Sequence, residues 1–330
     1  MADSKNSPVV RLYPTEWRLP IPASELQDAI QTRDLNLEYR LLRYLTETPA
    51  MAASMERPDP TRDRYSDRRC YAHNKVTLPN HVEQLPSFYI NASFVSSHSD
   101  EKGYIATQAP LPHTIEDFFR MITAYNVKSI FCLAGEQECK SGRCHPYWPT
   151  NPGESSSFGS VTVTLASQEV VGSFIRRNLS VTMNKTVSEI HHVQFLGWPD
   201  HGVPDISHTT ALIGELDLLR SISTTVGVHC SAGVGRTGCL IAIANAIDAA
   251  RATGKLSVLE IVLSLRQQRP FMVETTGQYE LIYKATAKLL EYSFLIFIFS
   301  ACPCCRVGGR VACQRRGGRS FVKICWKSQD

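Results

Sequence analysis

The stretch Val226-Gly227-Val228-His229-Cys230-Ser231-Ala232-Gly233-Val234-Gly235-Arg236-Thr237-Gly238 decides how this chain is read. Its first residues are apolar and β-prone, its middle is small and glycine-rich, and a helix is expected to begin near Thr237. A loop between a strand and a helix can turn successive backbone N–H groups inward, and the helix N-terminus adds partial positive charge. Ser231, Ala232, Gly233, Val234 and Gly235 would supply those amides, and Arg236 a fixed bidentate fork for an oxyanion. Such a cradle favours the thiolate form of a cysteine at its mouth. Cys230 therefore reads as a sulfur nucleophile facing a bound phosphate, with a phosphocysteine intermediate. A cysteine and an arginine at this spacing alone are a weak signal. His229 before the cysteine, the two loop glycines, the Thr237 hydroxyl and the strand–loop–helix context make it specific. A small core cysteine in an ordinary turn would leave Arg236 unexplained.

Outward from this loop, strand-like and helix-like runs alternate from Arg62 to about Tyr292. Strands are expected at Val76–Leu78, Ile105–Thr107, Ser129–Leu133, Val161–Leu165, Ile190–Leu196 and Thr225–His229. Helices are expected at Leu35–Thr46, Thr114–Ala124, Thr209–Ser221, Thr237–Ala252, Ser257–Gln268 and Thr276–Leu290. That mixed order predicts an α/β architecture, a sheet covered by helices, without internal repeats.

The chain has 330 residues, 43% hydrophobic and 20% charged. This is enough apolar material for a real core, and it excludes wholesale disorder. No stretch approaches the ~20 apolar residues that span a bilayer, and Met1–Pro14 has no secretory signal character. A cytosolic setting with the 11 cysteines reduced is the expectation. The net charge of +4 is unevenly spread: residues after Glu291 carry a net +6 and residues 1–291 a net −2. The body has no basic excess, so nucleic acid is not an expected partner.

At the nucleophile loop the chain resembles the cysteine-dependent protein tyrosine phosphatases, and the resemblance covers roughly Leu35 to Leu290. It implies a single large α/β domain, a highly twisted mixed β-sheet flanked by α-helices, over residues 35–292. Residues 1–34 would be an N-terminal extension, and 293–330 a Cys/Arg/Gly-rich tail expected to be disordered. Trp198-Pro199-Asp200-His201-Gly202 matches the family's mobile acid loop, which implies Asp200 as general acid and then as base for water. Pro199 stiffens that segment and Gly202 permits a hinge. Arg62-Asp63-Arg64-Tyr65 resembles the recognition segment, usually Lys-Asn-Arg-Tyr. By that likeness Tyr65 stacks on the phosphotyrosine ring and sets a pocket depth that disfavours phosphoserine, while Asp67 accepts hydrogen bonds from the substrate backbone. Glu138 falls where the family holds a carboxylate that orients the loop arginine. Tyr89–Ser93, Tyr104–Pro110 and Cys144–Pro149 resemble framework segments. The implied partners are phosphotyrosine-containing proteins, and no metal or cofactor is implied. His191 and His192 would point to opposite faces of a strand, and Cys302-Pro303-Cys304-Cys305 lacks the second half of a zinc site.

One departure bears on chemistry. The family's late glutamine loop reads Gln-Thr-x-x-Gln, whereas here it is Glu274-Thr275-Thr276-Gly277-Gln278. Gln278 matches the second glutamine, and Glu274 replaces the one that helps place the hydrolytic water. A carboxylate ~4 Å from phosphate costs on the order of 4 kcal/mol at an effective dielectric near 20, unless the loop moves or Glu274 is protonated. Slowed hydrolysis of the phosphoenzyme is the expectation, and a phosphotyrosine-binding trap with weak or no turnover is the alternative. Arg143 occupies the family's lysine position, Phe119 stands for Trp and Ala72 for Asp. The tail's apolar run Phe294–Phe299, its cysteines and its charge would suit S-acylation and peripheral membrane contact; a solvated extension is the other reading.

Overall fold

The computed structural model describes residues 14–78, 89–199 and 202–301, with the side chains of 292–301 left aside. In chain order the elements are β1 (Ile21–Pro22), α1 (Leu26–Thr32), α2 (Leu35–Thr46), α3 (Pro49–Ala53), β2 (Lys75–Thr77), β3 (Tyr89–Val95), β4 (Tyr104–Thr107), α4 (Ile115–Ala124), β5 (Ser129–Cys132) and α5 (Glu136–Lys140). Then come β6 (Ser155–Phe158), β7 (Val161–Val171), β8 (Phe174–Met183), β9 (Thr186–Phe195), α6 (Ile206–Ile222), β10 (Val226–His229), α7 (Gly235–Thr253), β11 (Lys255–Leu256), α8 (Val258–Gln268) and α9 (Thr276–Ala301). The main sheet has nine strands in the order β2-β3-β4-β10-β5-β9-β8-β7-β6. Strands β4, β10, β5 and β9 run parallel at its centre, and antiparallel pairs complete both flanks. The expected mixed α/β sheet is therefore present.

The parallel strands are covered on both faces, and this is why they read as short apolar runs rather than alternating ones. Alternate residues serve different cores. Tyr104, Ala106, Phe131, Leu133, Val226 and Val228 join one core with α2, α6, α7, α8 and α9. Ile105 and Ile130 join a second core under α4 and the inner ends of β7 and β8. Strand β10 is buried at all four positions and ends at His229, so the nucleophile loop leaves the sheet at its middle.

Several elements escaped the sequence reading. Strand β8 carries Arg176, Arg177 and Asn178, which break an apolar pattern. In the fold Arg177 turns inward onto Gln194 Oε1 at 3.0 Å, and Arg176 pairs with Glu215 on α6. Residues 21–32, placed ahead of the domain in the sequence reading, pack on the body. Leu26 and Ala29 are buried in the first core and β1 pairs with β11. Helix α9 continues past Leu290 to Ala301. The tail from 302 onward, with its cysteines, lies outside the described residues.

Glu38 on α2 is fully buried against Tyr283 of α9, whose hydroxyl lies 2.9 Å from Oε2. Burial raises this carboxyl to about 7, against the opposing pull of Tyr283 and Arg33. A folded-state value above the unfolded one means that the folded chain holds the extra proton. The stabilisation is complete below the unfolded value and is lost as pH rises through about 7. The thermal midpoint should fall between about pH 5 and pH 8, and Glu38→Gln should flatten that fall. Equal slopes for the two proteins in thermal denaturation would contradict this assignment.

Candidate active site

The chain leaves β10 at His229, passes Cys230 to Val234 in a tight loop, and enters α7 at Gly235. Among the described residues no side chain caps α7, so the first-turn amides are left for a ligand at the positive end of a 19-residue helix. Gly233 takes φ +71°, and a Cβ there would lie 2.0 Å from the Thr107 carbonyl oxygen. Only glycine satisfies both constraints. Arg269, fully buried, receives the outer side of the loop: Nε donates to Gly233 O at 2.8 Å and Nη2 to Ala232 O at 3.2 Å. Because C=O and N–H of one peptide point in opposite directions, pinning these carbonyls outward aims the next two amides inward. The Gly233 N–H accordingly meets Cys230 Sγ at 3.3 Å.

Cys230 is 5% exposed, at the floor of a cleft of about 710 Å³. Tyr65, Asp67, Glu138, Arg143, Ser231, Ala232, Gly235, Arg236, Glu274 and Gln278 line the same cleft, so most residues singled out in the sequence converge. Gly233, Val234, Thr237 and His229 lie buried behind it. The Thr237 hydroxyl is buried with no hydrogen-bond partner among the described residues. Arg236 is oriented by Leu133 O at 3.0 Å and by the Glu138 carboxylate. The Gln278 amide oxygen accepts from Glu274 N–H at 2.9 Å and sits beside Gly235.

The recognition segment is held by Arg64, whose guanidinium donates to the carbonyls of Ala109 (3.0 Å), Pro110 (2.8 Å) and Gly142 (2.7 Å). Asp63, the departure from the usual asparagine, is buried and accepts from Tyr89 Oη at 2.7 Å and Asn91 Nδ2 at 2.9 Å. This places Tyr65 at the cleft wall, with its hydroxyl 2.9 Å from Ser231 Oγ.

Glu274 is not an isolated carboxylate. Its Oε1 accepts from Arg68 Nε at 2.9 Å, and Arg68 Nη1 also reaches Asp67 Oδ2 at 2.5 Å. Arg68 stacks on Phe271 with 4.5 Å from Cζ to the ring centroid. The repulsion expected of an unpaired carboxylate is thus offset by a neighbouring cation, which the sequence reading passed over. Phe271 and Val273 both have positive φ, +62° and +63°, a costly conformation for such side chains. Buried Arg266 secures the segment through Met272 O at 2.9 Å and Val273 O at 2.8 Å.

Asp200 lies outside the described residues. Its neighbours are described: Pro199 and Gly202 line the cleft, and Trp198 is buried with Nε1 donating to Gly202 O at 3.1 Å. Beneath the loop, His229 Nδ1–H donates to Cys230 O at 3.0 Å, because a carbonyl can only accept. In the neutral ring His229 Nε2 then accepts from Tyr147 Oη at 2.7 Å, and Tyr147 accepts from His192 Nε2 at 3.0 Å. Burial lowers His192 to about 4, so it is neutral around pH 7 and keeps one tautomer. Arg68 and Arg269 were missed in the sequence, and Arg64 and Tyr147 stood there only as members of matching segments, without the roles the fold gives them. No pattern separates an arginine that anchors backbone from one that faces solvent.

The family model for protein-tyrosine phosphatase matches residues 59–288. Human receptor-type tyrosine-protein phosphatase epsilon is 35% identical over 236 residues, which cover 67% of this chain and 33% of that protein. Mouse tyrosine-protein phosphatase non-receptor type 18 is 35% identical over 236 residues, 70% of this chain and 52% of the relative. A solved structure of PTPN18 in complex with HER2 phosphopeptides superposes with a TM-score of 0.74 at 30% identity, covering 81% of this chain and 99% of that one. The chain belongs to the protein-tyrosine phosphatase family. It spans about a third to a half of the length of these curated relatives.

Gly233→Ala should abolish protection by tungstate, an inert phosphate mimic, in a thermal-shift titration. Arg269→Met should lower stability by at least about 2 kcal/mol through the carbonyls it orphans. Unchanged tungstate protection in Gly233→Ala would refute the role given to this loop.

Proposed function

We propose that this chain hydrolyses phosphotyrosine in proteins, with residues 35–292 as the catalytic domain. The observation that carries the reading is Cys230 at the floor of a cleft, under the uncapped N-terminus of α7 and beside an oriented Arg236. The phosphate would lie among the loop amides of Ser231 to Gly235 and the Arg236 guanidinium. Tyr65 would flank the phenyl ring, and Asp67 would hold the substrate backbone. Cys230 Sγ attacks phosphorus as the bond to the tyrosine oxygen breaks, and Asp200 delivers a proton to the departing phenolate. Thr237, whose buried hydroxyl has no hydrogen-bond partner among the described residues, would donate to the sulfur as it leaves. Water then attacks the phosphocysteine, Asp200 takes its proton, the S–P bond breaks and inorganic phosphate departs. Every charge that develops is met by a fixed dipole or cation, so no metal enters this mechanism.

Gln278, hydrogen-bonded to the Glu274 backbone and lining the cleft, would orient that water. Glu274 is what favours the second reading, a substrate trap that attacks and then stalls. Its ion pair with Arg68 supports turnover over trapping, because the pair lowers the negative charge facing phosphate. PTPN18, the structural relative, is seen with phosphopeptides, which supports phosphotyrosine proteins as partners. A cytosolic location fits a mechanism that needs a reduced thiol. No helix among the described residues is long and apolar enough to cross a membrane. Recovery in membrane fractions that survives Ser at Cys302, Cys304 and Cys305 would remove tail acylation as an anchor.

Rapid mixing with a phosphotyrosine peptide separates the readings. Continuous turnover, lost by at least about a thousandfold in Cys230→Ser, is expected, with little release from a matched phosphoserine peptide. Arg68→Ala should unpair Glu274 and slow the steady rate about tenfold while leaving any initial burst intact. A burst followed by silence in the unaltered protein would establish the trap instead. Absence of both burst and turnover would overturn the enzymatic reading.

A further inference from the structure

Directly behind the nucleophile loop lies a group of soft ligands that the proposed reaction does not use. Cys132 closes β5, Cys144 follows α5, and His229 closes β10. His229 and Cys132 are register partners on adjacent parallel strands. The ligand atoms of Cys132, Cys144 and His229 all lie within 4.8 Å of one another, and all three residues are buried. Cys139 on α5, half-buried, packs against the same group and faces Cys144. All four lie together because two strand ends and a short helix meet there. Their spacing in sequence, 132, 139, 144 and 229, announces no metal motif.

We propose that Cys132, Cys139, Cys144 and His229 form a tetrahedral site for a divalent d¹⁰ metal ion of the zinc class. Three thiolates and an imidazole are the donors of a closed structural zinc site. With Zn–S near 2.3 Å, tetrahedral sulfurs stand about 3.8 Å apart, so Cys132, Cys144 and His229 need to contract by no more than about 1 Å, and the Cys139 thiolate joins them as the fourth ligand when the metal binds. The surroundings fit as well. Metal-bound histidines usually donate their other ring N–H to a carbonyl or carboxylate, and His229 Nδ1–H already donates to Cys230 O at 3.0 Å. That leaves Nε2, which accepts from Tyr147, as the ligand atom. Gln194 Nε2 points a donor at Cys139 Sγ at 3.8 Å, an outer hydrogen bond suited to a thiolate. Three thiolates, one dication and a neutral imidazole carry a net charge of −1. Buried Arg177, hydrogen-bonded to Gln194 and stacked on Trp148, supplies the opposing charge. On binding, the three thiols release their protons to solvent, and the His229 lone pair passes from the Tyr147 hydroxyl to the metal. The site is structural: its His229 ligand immediately precedes the nucleophile, so the ion would fix the strand end from which the loop springs.

The test uses the full chain with Cys230 and the tail cysteines Cys302, Cys304, Cys305, Cys313 and Cys325 replaced by Ser, so that only the buried group and two other core thiols remain. Anaerobic titration with Co²⁺ should give a thiolate-to-metal charge-transfer band and an intense tetrahedral d–d envelope. Both should saturate at one equivalent and bleach when Zn²⁺ is added. Cys132→Ser in that background should abolish the band, and Cys139→Ser should weaken and shift it. Should Cys132→Ser fail to fold by circular dichroism, ¹¹³Cd NMR of the unsubstituted cluster reads the ligands directly and should report three sulfurs and one nitrogen. No stoichiometric band, a weak octahedral spectrum, a band that persists in folded Cys132→Ser, or a cadmium resonance in the oxygen-ligand range would each overturn the proposal.

Discussion

Arg269 holds the outer side of the nucleophile loop, and much of the site depends on that contact. A guanidinium with no exposed surface takes the carbonyls of Ala232 and Gly233 on one side and Asn91 Oδ1 on the other. Asn91 in turn donates to Asp63 and to the backbone of Arg68, so one buried cation ties the nucleophile loop to the recognition segment. Burial lowers the basicity of Arg269, yet an arginine stays charged, and its fork geometry cannot be met by lysine. The loop's inward amides follow from this outward anchoring, and the fixed dipoles need no rearrangement when an anion arrives.

A second arginine plays an analogous part at the rim. Arg68 lies between Asp67 and Glu274 and rests on Phe271. Two carboxylates that would each repel a phosphorylated substrate are therefore presented as members of an ion-paired group. The exposed Asp67 side chain keeps one face open, so pairing and peptide recognition are compatible. The strained backbone at Phe271 and Val273 is the cost of bringing Glu274 and Gln278 to the mouth of the loop, and Arg266 stabilises that arrangement through the carbonyls of Met272 and Val273.

Much of this was legible in the sequence, for reasons that can be named. Helix α2 runs over Leu35–Thr46 as its periodicity indicates, and it starts at a capping aspartate, Asp34, whose side chain accepts from Leu37 N–H. The strand–loop–helix around Cys230 was readable because each residue type there answers a local demand. A doubly buried strand needs apolar residues, a positive φ needs glycine, and an oxyanion needs arginine. Strand β8 was not readable, since its inward arginine is satisfied by side chains that only the pairing with β7 and β9 brings beside it. The Arg68–Glu274 pair and the Cys132, Cys139, Cys144 and His229 group were hidden for the same reason. Sequence shows that a charged or soft residue exists, and only the fold shows what it meets. Asp200 stands apart, legible as a motif while its own placement lies outside the described residues.

The central claim is that Cys230 itself bonds to phosphorus within this cradle. The direct measurement is acid quenching of the protein within milliseconds of mixing with a phosphotyrosine peptide, followed by proteolysis and mass-spectrometric location of the added phosphate. Phosphate is expected on Cys230, in an amount that rises when Asp200 is replaced by Ala and an activated aryl phosphate is the substrate. Phosphate on another residue, or continuous phosphate release with none ever bound to the protein, would contradict it.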